Sequence, residues 1–502
     1  MVYISMDAVI IFFIIISTFF TRVVNLLNIP IFTDEAIYIR WAQIGLADPA
    51  HRYIALTDGK QPLLTWLMYP SLKIFSDPLF AGRFVSVLAG VFSAVGIYFV
   101  VRKLFGRTEA VFSVLLYIFS PFFLLYDRLA LMDSLLTTFG IWSLYLEILL
   151  ITTLRLDVAL LLGVTVGLGV LTKSSAFFYI YLLPVSLLLL DLKIKRKIRH
   201  IFKWLGLSII SIFIVQIMYN SLRLSPWFYL IRQKNYSFIL TVSEFLKSPF
   251  SLFLPNLNGL TDFLFGYLTL PLVIVLGVGL LWGILRLNKK IIFLFIWFLF
   301  PFLALAAFGK VLFPRFILFM TFPLIIIIGM TITKLFNYAM KRNKLFILLI
   351  FSILIYPFYQ SLLLIVNPVN VAIPQNDRNQ IFDTWPSGYG VKEVISYLNE
   401  QSKNGKIIVG TEGTFGLFPA ALEIYLGLNQ NIEIKGFWPV SEVPRELLDS
   451  ASKFPTYLIF KERQEVPSEW PLIAIAKYRR GNGNTFLQFY QVEPLKGNSS
   501  LF

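Results

Sequence analysis

Cysteine is absent from all 502 residues, and histidine occurs only twice, as His51 and His200. Disulfides, thiolate zinc sites, iron–sulfur clusters and cysteine nucleophiles are thereby excluded, and a histidine-built metal site nearly so. Charge is scarce too, at 14% of residues against about 25% in soluble domains. The hydrophobic share is 57% against roughly 45–50%. This is the composition of a membrane protein. The formal charge of +16 comes from 44 Lys+Arg minus 28 Asp+Glu and would suit a nucleic-acid binder. The cations, however, fall mostly in short clusters between apolar runs, where a membrane protein needs them, so nucleic acid is set aside as a partner. Phosphate-loop spacings are missing as well: Gly410 to Gly416 matches neither the Walker nor the dinucleotide pattern and reads as a plain loop. Any catalysis must rest on Asp, Glu, Lys, Arg and Tyr.

What the sequence has in abundance is long apolar runs. The first, 10–27, lacks a basic leader and a small-residue cleavage site, so it reads as an anchor rather than a signal peptide. Further runs at 79–101, 110–126, 134–154, 158–171, 176–190, 201–220, 263–285, 291–308, 312–333 and 345–366 bring the expectation to about eleven spans across a core of about 30 Å. The fifth and sixth are short and meet at Lys173, so they are either tilted spans or a helical pair that enters and returns. Basic clusters at 102–107, 193–203, 286–290 and 334–344 fall on one side if the spans alternate, which makes that side cytoplasmic. The amino terminus is then inside, and the loops 30–77 and 221–262 and everything after Asn367 are outside. The tail brings turn clusters, β-rich runs at 406–409, 457–460 and 486–492, and a helical stretch at 391–399. The expected division is a membrane domain over 1–366 and an external α/β domain over 367–502, large enough for its own core.

The chemistry-bearing residues cluster at the outer ends of these spans. Thr33-Asp34-Glu35 follows the first run and opens a helix that Gly45 is expected to close. Thr33 could cap that helix, with the acids complementing its dipole. Alternatively one carboxylate is a general base, since neighbours on a helix point about 100° apart and only one need face a site. In the same loop, Gly59-Lys60-Gln61-Pro62 puts a lysine beside a helix amino terminus, a poor place for a cation unless an anion lies between them. It could equally snorkel to the interface. Phe313-Pro314-Arg315-Phe316 repeats the arrangement with arginine. Two such placements on one face suit a bound phosphate, with Arg315 in a forked contact and Lys60 as a point charge. Asp127 and Arg128 read either as an exposed interfacial pair or as part of a cavity. Asp133, near the start of an apolar helix, and Lys173, between two apolar runs, suggest a protein interior or a wet cavity. Cations for phosphate without a nucleotide fold point to a donor delivered as a lipid phosphate within the membrane.

These motifs, in this order, resemble the multispanning glycosyltransferases of the GT-C class, particularly the protein O-mannosyltransferase and aminoarabinose lipid A transferase group. The resemblance is carried by Thr33-Asp34-Glu35, Gly59-Lys60-Gln61-Pro62-Leu63, Asp127-Arg128 with Leu131-Met132-Asp133, Leu171-Thr172-Lys173, and Pro314-Arg315-Phe316 with Pro323, over roughly residues 5–340. It implies an α-helical polytopic fold with an external carboxy-terminal α/β domain, and inverting transfer of one sugar from a polyprenyl-phosphate donor to a protein, lipid or glycan hydroxyl at the outer face of a cell membrane. Carried over, Asp34 would deprotonate the acceptor with Glu35 supporting it. Lys60 and Arg315 would hold the donor phosphate, and Arg128, Asp133, Tyr38 and Lys173 would shape or support the cavity. No cofactor is required by this chemistry, and the histidines that help some relatives hold a metal are missing; carboxylates alone could still hold a divalent ion. Phe316 stands where relatives often carry tyrosine, and Gln61 where proline is common. Rival readings are a lipid-pyrophosphate glycan ligase or polymerase, and a lipid or sugar transporter.

Overall fold

The computed structural model describes residues 5–191, 193, 195–342 and 345–494. The ends of the basic clusters at 192, 194, 343 and 344 and the last eight residues of the tail lie outside the described residues. The chain forms two compact units. The first comprises Met1–Leu26, Pro49–Leu67 and Arg83–Pro374, and the second Leu27–Asp48, Met68–Gly82 and Gln375–Phe502. This corrects the division expected at residue 366: parts of the first outer loop, including the helix that carries Asp34, fold with the tail.

Among the described residues, six helices are long and apolar enough to cross a membrane: Met6–Asn28, Pro78–Leu104, Met132–Thr153, Lys197–Leu224, Lys289–Phe308 and Pro314–Lys341. A seventh would be the pair Phe253–Leu268 and Leu270–Leu285, bent by 107° at the break. The run 345–366 is one helix, Leu345–Val366, whereas other apolar runs are shorter or broken. The run 110–126 divides into Arg107–Ile118 and Pro121–Tyr126, because Pro121 cannot continue the ladder from the preceding turn. The run 263–285 breaks at Thr269, held at a φ of 67°. After the helix Leu156–Thr172, the short run is a chain of single turns, Ser174–Ala176, Phe177–Tyr181 and Leu183–Leu189. Hydropathy sees apolar length, and these breaks are conformational, so a sum over a window does not register them.

Buried ions pin the first unit. Arg22, fully buried, meets Asp127 at 3.2 Å and donates to the Ile118 carbonyl at 2.7 Å. Asp127 also accepts from the Tyr117 hydroxyl at 2.9 Å and from the Ser134 hydroxyl. Arg128 is fully buried and donates to the carbonyls of Thr21, Arg22, Val24 and Asn25 at 3.1, 3.0, 2.7 and 2.8 Å. Arg83 adds a bond of 2.8 Å to Leu26 O. These are carbonyls of the last turn of Met6–Val23 and the residues after it, which a helix leaves unpaired. Asp127 and Arg128 are therefore not an exposed interfacial pair. Each faces inward, and each has its own partners.

The second unit is built on a five-stranded sheet, β1 (Ile407–Glu412), β2 (Ile432–Phe437), β3 (Thr456–Phe460), β4 (Leu472–Arg479) and β5 (Phe486–Val492), in the order β2-β1-β3-β5-β4. Strands β2, β1 and β3 are parallel, while β5 and β4 run antiparallel to β3 and to each other. Every residue of β1 and β3 is buried, as expected of strands covered on both faces. Ile408, Leu458, Phe460 and Tyr490 pack with Val440 and Leu447 in one core. The helix Val391–Gln401 buries Val394, Ile395 and Leu398, the i, i+1, i+4 pattern of an amphipathic face.

Candidate functional site

Candidate residues occur in each of the two units, and each group is built by its own local chemistry. In the first unit, the segment Ile54–Asp58 ends in Gly59 at a φ of 67°. A side chain at Gly59 would place its Cβ 2.5 Å from the Leu230 carbonyl oxygen and 2.6 Å from Lys234 Cβ, so only glycine permits both the left-handed turn and the close approach. The turn delivers Lys60 and Gln61 just ahead of Pro62, whose carbonyl accepts the first bond of the helix Leu63–Ile74. Gln61 is buried and donates to Ser174 Oγ at 2.7 Å, and Asn235 donates to the same oxygen at 3.2 Å. This ties the Lys60 loop to the Thr172–Ser174 junction.

At that junction Lys173 leaves the helix end with extended backbone and meets buried Asp133 at 2.6 Å. Its Nζ lies 4.8 Å from the centroid of the Phe316 ring, and the positive charges of Arg315 and Lys60 act on it electrostatically. The Arg315 guanidinium lies 4.9 Å from the Phe313 ring and 5.9 Å from the Phe316 ring, within the range of a cation–π contact. Lys60 stands 3.9 Å from Asp58, but that carboxylate's shorter contact, at 2.7 Å, is to Lys234. Lys60 and Lys234 thus flank Asp58, and Lys173, held by Asp133, stands within the electrostatic reach of Lys60 and Arg315. Lys60, Lys173 and Arg315 are only partly exposed. Like charges held together away from bulk water favour an oxyanion among them.

In the second unit the helix Thr33–Ala47 carries the two acids. Glu35 is fully buried and accepts from the Phe32 amide at 3.0 Å, so it caps the helix from within. Thr33 does not cap the helix, contrary to the reading from sequence; its hydroxyl donates to the Pro386 carbonyl at 3.0 Å, and its amide donates to the same oxygen at 3.1 Å. Nor does the helix end at Gly45; it runs on to Ala47. Asp34 is partly exposed, and it is the carboxylate of the pair that remains accessible. Tyr38, one turn on, is 4% exposed, with its ring 5.7 Å from that of Trp41. Arg40 pairs with Glu423 at 2.8 Å and Gln43 donates to the Ile424 carbonyl at 2.9 Å, which holds the helix against Leu417–Leu426.

The structure brings Lys60, Lys173, Arg315 and Asp133 into one cluster. Arg128 lies in the buried clamp on the end of the first helix. Lys234 was missed because it sits in a loop rich in charge, where no spacing marks it; Arg22 was hidden within the first apolar run. Among the described residues, no group of three or more His, Asp or Glu side chains is placed to hold a metal ion.

Residues 59–219 match the family described as dolichyl-phosphate-mannose-protein mannosyltransferase, a stretch that contains Lys60, Arg128, Asp133 and Lys173. The expected resemblance is therefore found. Fold comparison agrees. ArnT from Cupriavidus metallidurans bound to undecaprenyl phosphate superposes with a TM-score of 0.57 at 13% identity, covering 96% of this chain and 97% of that one. Its apo form gives 0.55 at 14% identity with the same coverage. The archaeal oligosaccharyltransferase AglB from Archaeoglobus fulgidus, in complex with an inhibitory peptide and a dolichol-phosphate, gives 0.54 at 12% identity, covering 90% of this chain and 69% of that one. No curated protein sequence matches the chain. The polytopic helical fold with a carboxy-terminal sheet domain is thus shared with these proteins.

Proposed function

We propose that the protein is an inverting glycosyltransferase that moves a single sugar from a polyprenyl-phosphate donor to an acceptor hydroxyl. The observation that carries this reading is the gathering of cations around Lys173, which Asp133 holds at 2.6 Å and on which Arg315 and Lys60 act electrostatically. A phosphate monoester is the oxyanion that such a gathering suits. ArnT in its lipid-bound form and AglB in its complex hold undecaprenyl phosphate and a dolichol-phosphate, and the same class of carrier suits this cluster.

The chemistry balances without further groups. The acceptor oxygen attacks the anomeric carbon as the bond from that carbon to the phosphate oxygen breaks, and the leaving phosphate keeps the electron pair. Lys60 and Arg315 stabilise the charge that grows on it, with Lys173 as the third cation. Asp34 takes the acceptor proton, and buried Glu35 fixes the start of the helix that presents it. Lys173 is held by Asp133, and Arg128 acts at a distance by anchoring the first helix. The side chains themselves carry the charge stabilisation, so the reading assigns no role to a metal. The basic connections support an amino terminus in the cytoplasm and a tail outside, and this reading puts transfer at the outer face.

The test is transfer from a radiolabelled polyprenyl-phosphate sugar with the full chain in nanodiscs. Asp34→Asn should bind donor normally yet lose at least about a hundredfold in turnover, the scale of general-base catalysis. Lys60→Ala should weaken donor binding. Undiminished turnover by Asp34→Asn would overturn the assignment of the base, and release of labelled pyrophosphate-linked glycan blocks instead of single sugars would replace the donor class.

A further inference from the structure

The Gly410–Gly416 segment, a plain loop by its sequence, lies at a place where open α/β sheets bind ligands. Strands β2, β1 and β3 are parallel, and β1 is flanked by β2 on one side and β3 on the other. The connection leaving β1 runs to β2 on one side and the connection leaving β3 runs to β4 on the other, and ligands bind beyond the carboxyl ends of the strands at such a switch point. Gly413 follows β1, Trp438 follows β2 and Lys461 follows β3.

Lys461 is 6% exposed, rare for a lysine without a partner. Its Nζ lies 4.7 Å from the Trp385 ring centroid and 5.6 Å from that of Trp438. Among the described residues, no carboxylate or carbonyl accepts a hydrogen bond from it. Of the two acids that act on it, Glu462 and Glu412, Glu412 is engaged elsewhere: it accepts from the backbone amides of Lys461, Glu462 and Arg463 at 2.8, 2.7 and 3.1 Å. Arg480, fully buried, donates to the Lys461 carbonyl at 2.7 Å. The backbone around the amine is therefore fixed, while the amine itself meets the two indole rings.

The wall facing it has no side chains. A Cβ at Gly413 would stand 3.2 Å from Nζ, and one at Gly416 would stand 3.9 Å from Nζ and 3.7 Å from Thr33 Cγ2. Thr33 is the neighbour of Asp34, and its bonds to Pro386 attach Trp385 to the start of the same helix. Trp438 and Phe415 are 58% and 54% exposed, large apolar faces of the kind that mark a binding surface.

We propose that Lys461, Trp385 and Trp438 form an acceptor subsite that takes a sugar bearing an oxyanion, with the anion on the buried amine and the ring against the indoles. The binding part stands on the cage alone; its role in presenting a hydroxyl to Asp34 rests on the proposed function. A phosphate or a carboxylate supplies the same chemistry, and two probes separate them.

The experiment is calorimetric titration of the full chain in nanodiscs with glucose 1-phosphate and with glucuronate, in wild type and in a Lys60→Ala background that weakens the donor cluster. At least one probe should bind in both backgrounds, and the one that binds names the anion. Lys461→Gln should weaken it tenfold or more with an unchanged melting temperature, and Lys461→Arg should restore much of it. Trp438→Ala should weaken the sugar anion while leaving inorganic phosphate unaffected. Failure of both probes to bind wild type, or equal binding by Lys461→Gln, would overturn the subsite; equal binding by Trp438→Ala would overturn the sugar contact. Asp34→Asn should bind the probes like wild type, so loss of the catalytic assignment would leave this result standing.

Discussion

Lys173 and Asp133 meet at 2.6 Å, with the carboxylate buried and the lysine side chain 24% exposed. The pair therefore sits where the helix Leu156–Thr172 ends and the helix Met132–Thr153 begins. It fixes that junction and leaves Lys173 facing Phe316, toward the other cations.

Breaking this pair from one side leaves an uncompensated charge, whereas replacing both partners removes the problem. Asp133→Asn and Lys173→Met should each destabilise by up to about 3 kcal/mol. The double change should recover part of that, with a coupling of about 1–3 kcal/mol. Donor affinity should fall in Lys173→Met and stay low in the double variant. Thermal melts in detergent read the first effect and donor titration the second. Full recovery of donor affinity in the double variant would show that Lys173 serves structure alone.

Arg128 separates shape from charge. Its four bonds to the carbonyls of residues 21–25 cannot be matched by lysine, whose three donors radiate from a point. Arg128→Lys should therefore lower stability by about 2 kcal/mol and Arg128→Ala by more, since buried carbonyls left unpaired cost about 1–3 kcal/mol each. Both should lower turnover through the amount of folded enzyme, with the donor KM unchanged. A raised donor KM at full stability would instead put Arg128 in contact with the substrate.

Burial holds the Lys461 amine below the usual lysine range, against the opposing pull of Glu462 and Glu412; Arg480 adds positive charge from the neighbouring strand end. The depressed value sets the sign. Stability linked to this group is present above the pKa of a free lysine and lost as pH falls through the depressed value, where the folded protein must take up the proton. Anion binding runs the other way, because it needs the proton. Affinity for glucose 1-phosphate should therefore decline as pH rises, starting below the range of a free lysine near 10.5. Lys461→Arg, which stays protonated, should give a flat profile. Titrations at several pH values decide it; identical profiles for the two proteins would rule out titration of this amine.

The grouping of Lys60 with Arg315 could be read from residue order, because both stand beside helix openings where cations are out of place. Strands β1, β3 and β5 were visible as β-rich runs. Strand β4 escaped notice because none of its residues is buried and its ladder carries an irregularity between Ala474 and Ala476. Lys461 gave no signal: it stands next to Glu462 and Arg463 in an ordinary charged stretch. Its burial depends on Trp385 and Trp438, which are 76 and 23 positions away, and contacts at such separations leave no periodic trace.

Glu412 occupies the three consecutive amides that follow β3, the kind of backbone concavity that elsewhere in nature cradles phosphate. With those donors already engaged, an incoming anion at this edge of the sheet meets one flexible point charge instead of a directional socket. Discrimination among acidic groups should then be coarse, and the aromatic faces are left to choose between ring shapes, an arrangement that favours breadth of acceptors over strict selection of one.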